Sequence, residues 1–159
     1  LLRLYLKKFT MYINRLRSSW YLLWMSLASC VWSFILFQSC KAVLSHQLSI
    51  DSLRYINIAI NVVYGLLFSF LTPPRLRDIG FPKWTTHFTP FLLVTVIIAP
   101  VLLFYSGEEW DNEYGSVSQK PSIWVFIIGL ILFLIAMPNV YDAMNNYLAI
   151  MHFHKLGQI

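Results

Sequence analysis

The sequence has little charge. Asp, Glu, Lys and Arg make up 12% of its 159 residues, about half the share found in ordinary globular domains. Residues of the AVILMFWYC set make up 58%, and aromatic residues make up 17%. A water-soluble domain of this size cannot bury so much apolar surface, and a disordered chain would be polar and poor in aromatic residues. The composition therefore indicates an integral membrane protein.

Residues that carry chemistry are also scarce. Two cysteines, Cys30 and Cys40, would lie about 15 Å apart along a helix, too far for a disulfide bridge within it. The acidic stretch 108–113 lacks the alternating ligand spacing of a calcium loop. We find neither a Ser-His-Asp order nor a glycine-rich phosphate loop. We therefore expect a chain that is not an enzyme, with no catalytic residues, no cofactor and no metal site.

Uncharged apolar runs predict the spans. At about 1.5 Å per residue, 18 helical residues reach about 27 Å, close to the hydrocarbon thickness of a bilayer. Helices satisfy their backbone polar groups internally, as hydrocarbon requires. The predicted fold is all-α, a polytopic membrane protein with four transmembrane helices. These helices are predicted at 20–37, 55–71, 88–105 and 123–140.

Polar residues and prolines refine this prediction. Asn57 and Asn61, four residues apart in the second run, are expected to hydrogen-bond across a helix interface. Pro73 and Pro74 are predicted to end the second helix. Pro138 is expected to kink the fourth helix, and the spacing of apolar residues beyond it predicts a C-terminal amphipathic helix. That helix could lie on the membrane surface or dock on a partner subunit, and the sequence leaves both open.

Basic residues are concentrated on one side of the predicted spans. Arg3, Lys7, Lys8, Arg15 and Arg17 precede the first run without any acid. Three more basic residues follow the second run, whereas the third loop is acidic. The positive-inside rule then predicts both termini on the cytoplasmic (or equivalent) side. We find no clustered basic face with a nucleic-acid motif, so the expected partners are membrane lipids and other membrane subunits, with no nucleic acid.

The segment Arg75-Leu-Arg77-Asp78-Ile79-Gly80, followed by Trp84, resembles the central motif of a family of bacterial inner-membrane proteins, the domain of unknown function 805 (DUF805). Residues 14–21 resemble the N-terminal motif of that family, and Asn112-Glu113-Tyr114-Gly115 resembles its C-terminal motif. The similarity covers about residues 5–121. It implies a DUF805-like membrane region over 1–121 with three spans, followed at 122–159 by the fourth span and the tail. It also implies a bacterial inner membrane, with a mitochondrial or other organelle inner membrane as the alternative.

Two functional hypotheses follow. The first is a non-catalytic accessory or scaffolding subunit of a larger membrane complex. The alternative is a small transporter, channel, or lipid- or anion-binding membrane protein that uses the Arg75/Arg77/Asp78 loop, because guanidinium groups match phosphate geometry. The candidate contacts to a lipid headgroup or partner are Arg15, Arg17, Arg75, Arg77, Asp78 and Trp84, and the candidate structural motif is Asn112, Tyr114 and Gly115.

Overall fold

The computed structural model describes residues 17–82, 102–103, 107, 110 and 121–157. Three long helices lie within these ranges: α1 (Ser18–Leu44), α2 (Ile50–Ile79) and α3 (Ile123–Lys155). Their 27, 30 and 33 residues correspond to about 40, 45 and 50 Å, and each is long and apolar enough to cross a membrane. The all-α class is thereby confirmed. The four predicted spans are not all confirmed, because run 88–105 lies outside the described residues apart from 102–103.

The ends of α2 are set by local hydrogen bonds. Ser49 caps the start, where its side chain accepts a bond from the backbone N–H of Ser52. Gly80 follows the last turn with a positive φ of 84°, which glycine adopts without steric cost. The N–H of Phe81 then donates to the carbonyl of Leu76 at 3.0 Å, and this bond closes a Schellman-type end.

The prediction that Pro73 and Pro74 end the second helix is wrong. Both prolines lie inside α2, which continues to Ile79. Proline removes backbone donors, but a membrane helix tolerates it where side chains and packing compensate. In the turn before the prolines, the hydroxyl of Thr72 adds a hydrogen bond to the carbonyl of Phe68 at 2.8 Å. The last turn of α2 is almost entirely buried, and this burial keeps it helical.

The predicted separation between a fourth span and an amphipathic tail is also corrected. α3 is one continuous helix that contains Pro138 and runs to Lys155. Its C-terminal half packs within the chain, where Ala143 and Ile150 are buried in the same apolar cluster as Leu36. Ala143 and Ile150 continue the buried stripe of α3, whereas Met144 and Leu148 between them are exposed.

α1 and α2 form an antiparallel hairpin around the short connection 45–49. The hydroxyls of Tyr21 and Thr72 lie 3.3 Å apart, and those of Ser29 and Tyr64 lie 2.9 Å apart. Residue numbers rise along α1 as they fall along α2 in these pairs. The start of α1 therefore meets the end of α2.

Asn57 and Asn61 make no side-chain hydrogen bond to another helix within the described part of the chain, so the expected bond across a helix interface stays a prediction. The side-chain amide of Asn61 instead donates to the backbone carbonyl of Asn57 at 2.7 Å. It also donates to the Oδ1 of Asn57 at 2.8 Å. The two residues form a ladder along α2, and Asn61 is exposed.

α3 runs parallel to α1. Near the start of both helices, Gly129 lies against the backbone of Leu23. Farther along, the thiol of Cys30 points to the carbonyl of Leu132 at 3.6 Å, and Ile150 shares an apolar cluster with Val43. Arg17 and the end of α3 therefore lie at opposite ends of the described bundle. The structure does not confirm the expected placement of both termini on one side.

Small residues let α1 and α3 approach closely. The buried positions of α3 recur every seven residues, the spacing that keeps a stripe of side chains facing one neighbour. Ser26 and Ser33 are buried on α1. Small side chains at membrane helix interfaces bring backbones into van der Waals contact. The buried residues of α3 are Gly129, Ala136, Ala143 and Ile150.

Replacing Gly129 with a bulky residue should separate α1 from α3. A Cβ at this position would lie 3.1 Å from the backbone nitrogen of Leu23 and 3.2 Å from its Cα, and backbone atoms cannot move aside locally. We expect Gly129→Leu to lower the free energy of unfolding in detergent by about 1–3 kcal/mol. The neighbouring control Ile128→Leu lies on an exposed position and should change it by less than about 0.5 kcal/mol. Equal effects of the two substitutions would contradict the close α1–α3 contact.

The parallel packing predicts the sides from which engineered cysteines are labelled. In a Cys30→Ala/Cys40→Ala background, a membrane-impermeant maleimide should reach Gln47→Cys and Lys155→Cys from one side of the membrane. It should reach Phe81→Cys only from the other side, because Phe81 follows the end of α2. Labelling of Lys155→Cys and Phe81→Cys from the same side would contradict the parallel arrangement and restore the expectation from charge counting.

Candidate functional site: a buried arginine–aspartate cluster

Three of the predicted site residues come together in space. Arg17 precedes α1, and Arg75 and Asp78 lie in the last turns of α2, so the hairpin places all three at one end of the bundle. Arg77, on the same turn, is only partly buried and lies outside the contacts described below. The remaining predicted site residues lie outside the described part of the chain: Arg15, Trp84, Asn112, Tyr114 and Gly115.

Arg75 and Asp78 form a fully buried ion pair. The residues are three apart on α2 and therefore share a face. The Nη1 of Arg75 donates to the Oδ2 of Asp78 at 2.7 Å, and both side chains are 0% exposed. Burying two charges costs several kcal/mol for each ion unless they are paired and hydrogen-bonded. The short contact between them meets that condition.

Arg17 brings the start of α1 to the same carboxylate. Its Nη1 lies 3.7 Å from the Oδ1 of Asp78, and its side chain is 9% exposed. The carboxylate of Asp78 therefore lies between two guanidinium groups, one from each helix of the hairpin. This attraction fixes the start of α1 against the end of α2.

A third segment closes the cluster. The Nε of Arg75 donates to the backbone carbonyl of Leu102 at 2.6 Å, and Leu102 itself is fully buried. Gly107 lies so close to the ion pairs that a Cβ on it would be 2.6 Å from the Cγ of Asp78 and 2.8 Å from the Nη1 of Arg17. Only glycine fits at that distance without a shift of the cluster.

The sequence contained no signal for Leu102 and Gly107 as members of this site. Leu102 contributes a backbone carbonyl, which every residue possesses. Gly107 fits because it has no side chain. Its position before an acidic stretch does not predict that its backbone lies close to the ion pairs. The spacing of Arg75 and Asp78 was visible, but the two prolines before it suggested a turn in place of a helix.

A polar and aromatic layer lies next to the cluster. The Tyr21 and Thr72 hydroxyls bridge α1 and α2 one turn away from the ion pair. The Tyr21 ring packs edge-on against Phe68, with ring centroids 6.4 Å apart. An apolar shell completes the layer, formed by Tyr21, Leu76, Ile79 and Leu102. This shell shields the charges and strengthens the attraction between them.

The arrangement holds chain segments together and offers no evident nucleophile or acid–base pair. The two arginines face one carboxylate, and Arg75 also bonds a backbone carbonyl. Within the described residues, no group of three or more His, Cys, Asp or Glu side chains is placed to bind a metal ion. The chemistry of the cluster is therefore that of a clasp joining the start of α1, the end of α2 and residues 102 and 107.

Removing the carboxylate of this clasp should destabilise the fold. Asp78→Asn removes the carboxylate charge that pairs with the fully buried Arg75 guanidinium, so we expect a loss of about 3–5 kcal/mol in the free energy of unfolding, measured by denaturant titration in micelles. The double substitution Arg75→Met/Asp78→Leu removes both buried charges of the pair and should recover at least half of that loss.

A second ion pair in the same helix supplies the control. Asp51 and Arg54 have the same spacing and a 3.0 Å contact, but their side chains are 76% and 44% exposed. Exposed pairs contribute little, so Asp51→Asn should change the free energy of unfolding by less than about 1 kcal/mol. A cost for Asp78→Asn no greater than that for Asp51→Asn would show that the clasp does not hold the fold.

The comparisons with known proteins agree with the motifs in this region. A family model for proteins of unknown function (DUF805) matches residues 7–116. No curated protein and no solved structure matches the chain significantly. The matched range contains α1, α2 and every residue of the clasp, and it ends before α3. Since the match covers more than half of the 159 residues, the chain is a member of the DUF805 family of proteins.

Proposed function

We propose that this chain is a non-catalytic accessory or scaffolding subunit of a larger membrane protein complex. The observation that supports the proposal is the clasp. Arg75 and Asp78, the charged residues most suggestive of a ligand site, are completely buried and bonded within the chain. The two charges therefore stabilise the fold of the chain itself.

The outer surfaces of the helices also favour a role in assembly. Large aromatic residues are enriched where proteins meet each other and at the membrane boundary. A chain with so few charges places many of them on its exterior, where lipids and other membrane subunits are the available contacts. The exposed aromatic residues include Trp24, Phe34, Tyr55, Phe70, Trp124 and Tyr141.

Charge favours one orientation for the described bundle. Four more basic residues precede Arg17 in the sequence, namely Arg3, Lys7, Lys8 and Arg15, so the positive-inside rule favours the cytoplasmic side for the end where α1 begins. We propose the bacterial inner membrane as the location, with an organelle inner membrane as the alternative. The parallel packing of α1 and α3 then assigns Lys155 to the opposite side.

The alternative function is binding of an anionic headgroup or solute. Arg77 supports it, because this guanidinium lies on the same turn as the clasp but is only partly buried. A phosphate could approach Arg77 while the Arg75–Asp78 pair stays intact. An anion site of this kind would make the chain a lipid-binding or transport protein.

Extraction in mild detergent followed by native mass spectrometry separates the two functions. The subunit proposal predicts an assembly in which the chain carries a stoichiometric second polypeptide, unchanged in the Arg77→Gln variant. The headgroup alternative predicts a retained anionic phospholipid that is lost in Arg77→Gln and kept in Arg54→Gln. Arg54 is the matched control because it is an exposed arginine at the other end of α2. Recovery without any other polypeptide would overturn the subunit proposal.

A further inference from the structure

α2 carries a polar ladder, Asn57 and Asn61, at the edge of the face that contacts α1. Asn61 follows Arg54 by seven residues, which places it about 10 Å along the helix towards the apolar middle. Asn61 is exposed, and Asn57 is half-buried. An exposed amide at such a depth in hydrocarbon needs a hydrogen-bonding partner.

The ladder uses only part of its hydrogen-bonding capacity. Asn61 donates through Nδ2 to the carbonyl and the Oδ1 of Asn57. Within the described residues, the Oδ1 of Asn61 accepts no bond and the Nδ2 of Asn57 donates none. One acceptor and one donor therefore remain side by side on the surface of α2.

Small residues continue the line of the ladder. Asn57, Asn61, Gly65 and Ser69 recur every four residues along α2, so they form one continuous ridge. Small residues four apart allow the close, right-handed helix crossings common in membranes. Ile58 and Val62 flank the ridge and are 60% and 56% exposed. The ridge thus has the composition of a helix–helix interface.

A second copy of the chain fits this ridge through complementary hydrogen bonds. In a parallel dimer with two-fold symmetry, equivalent residues of the two helices meet. The free donor of Asn57 in one copy can reach the free acceptor of Asn61 in the other, and the same bond forms in reverse. The same contact therefore gives a hydrogen-bonding partner to the unused donor and to the unused acceptor of each copy.

The charges at the start of α2 fit the same symmetry. Asp51 and Arg54 are an exposed pair, with Arg54 seven residues before Asn61 and so on the same face. Across a two-fold axis, Arg54 of one copy approaches Asp51 of the other, so opposite charges meet in both directions. The two copies of Arg54 also approach each other across the axis, and the two Asp51 carboxylates offset that repulsion.

We propose that the chain forms a parallel dimer through the α2 ridge of Asn57, Asn61, Gly65 and Ser69, with reciprocal amide hydrogen bonds between the two copies. The dimer does not depend on the proposed subunit role. A chain that dimerises without other polypeptides would keep this inference and lose the earlier one.

Disulfide trapping in native membranes tests the contact face. In a Cys30→Ala/Cys40→Ala background, Ile58→Cys lies beside the ridge and should form a disulfide-linked dimer. Val63→Cys is the matched control, because its 57% exposure is close to the 60% of Ile58 but it lies on the opposite face of α2. We expect at least tenfold more cross-linked dimer for Ile58→Cys. Equal cross-linking at the two positions, or cross-linking of Ile58→Cys only to a different polypeptide, would overturn the proposal.

Subunit counting by single-molecule photobleaching in liposomes tests the amides. Asn61→Leu keeps the approximate shape and removes two reciprocal bonds, so we expect about a tenfold weaker dimer. Asn139→Leu is the control, since Asn139 is an exposed asparagine of α3 whose amide bonds only within its own helix. A wild-type chain that stays monomeric at high protein density, or equal effects of the two substitutions, would show that the ridge does not pair.

Discussion

A carboxylate and a guanidinium can be buried in a membrane protein only when each neutralises the other, and this constraint organises one end of the bundle. The Arg75–Asp78 pair is inaccessible to solvent, so the atoms around it have to complete its hydrogen bonds and exclude water. The Leu102 carbonyl accepts a hydrogen bond from Arg75, Arg17 brings a second positive charge to Asp78, and Gly107 packs closely against both charges. The same demand keeps the chain helical past two prolines, because an unwound segment would separate Arg75 from Asp78.

α1 contacts α2 and α3 through different kinds of interaction. Against α2 the contacts are polar, with paired hydroxyls from Tyr21 and Thr72 along the helices and ion pairs at the end. Against α3 the contact depends on side chains small enough for backbones to touch, as at Gly129. Hydrogen bonds and ion pairs require particular partners along the helices, whereas close backbone packing fixes the distance between them. α1 is thus held in position by α3 and in register by α2.

The sequence predicted the elements of this fold better than their ends and contacts. Long apolar runs identified α1, α2 and α3, because hydrocarbon permits few alternatives to a helix. The end of α2 was missed because proline rules describe isolated backbone, while Arg75 and Asp78 bind the last turns of α2 to Leu102 and Arg17. Arg17, Arg75 and Asp78 were selected as site residues, but as a surface for ligands. Their burial depends on Leu102 and Gly107, whose contributions are backbone atoms and empty space that no residue pattern encodes.

The parallel contact between α1 and α3 also sets an order of biogenesis. α1 and α2 are neighbours in the chain, so their hairpin and its ion pairs can assemble while translation continues. α3 is synthesised later and has to enter the bilayer in the direction of α1 to reach its groove. Until then the side chains of Ser26 and Ser33 face lipid, and their hydroxyl groups can hydrogen-bond only within their own helix. The newly inserted hairpin is therefore an assembly intermediate with an open polar seam, and α3 closes it.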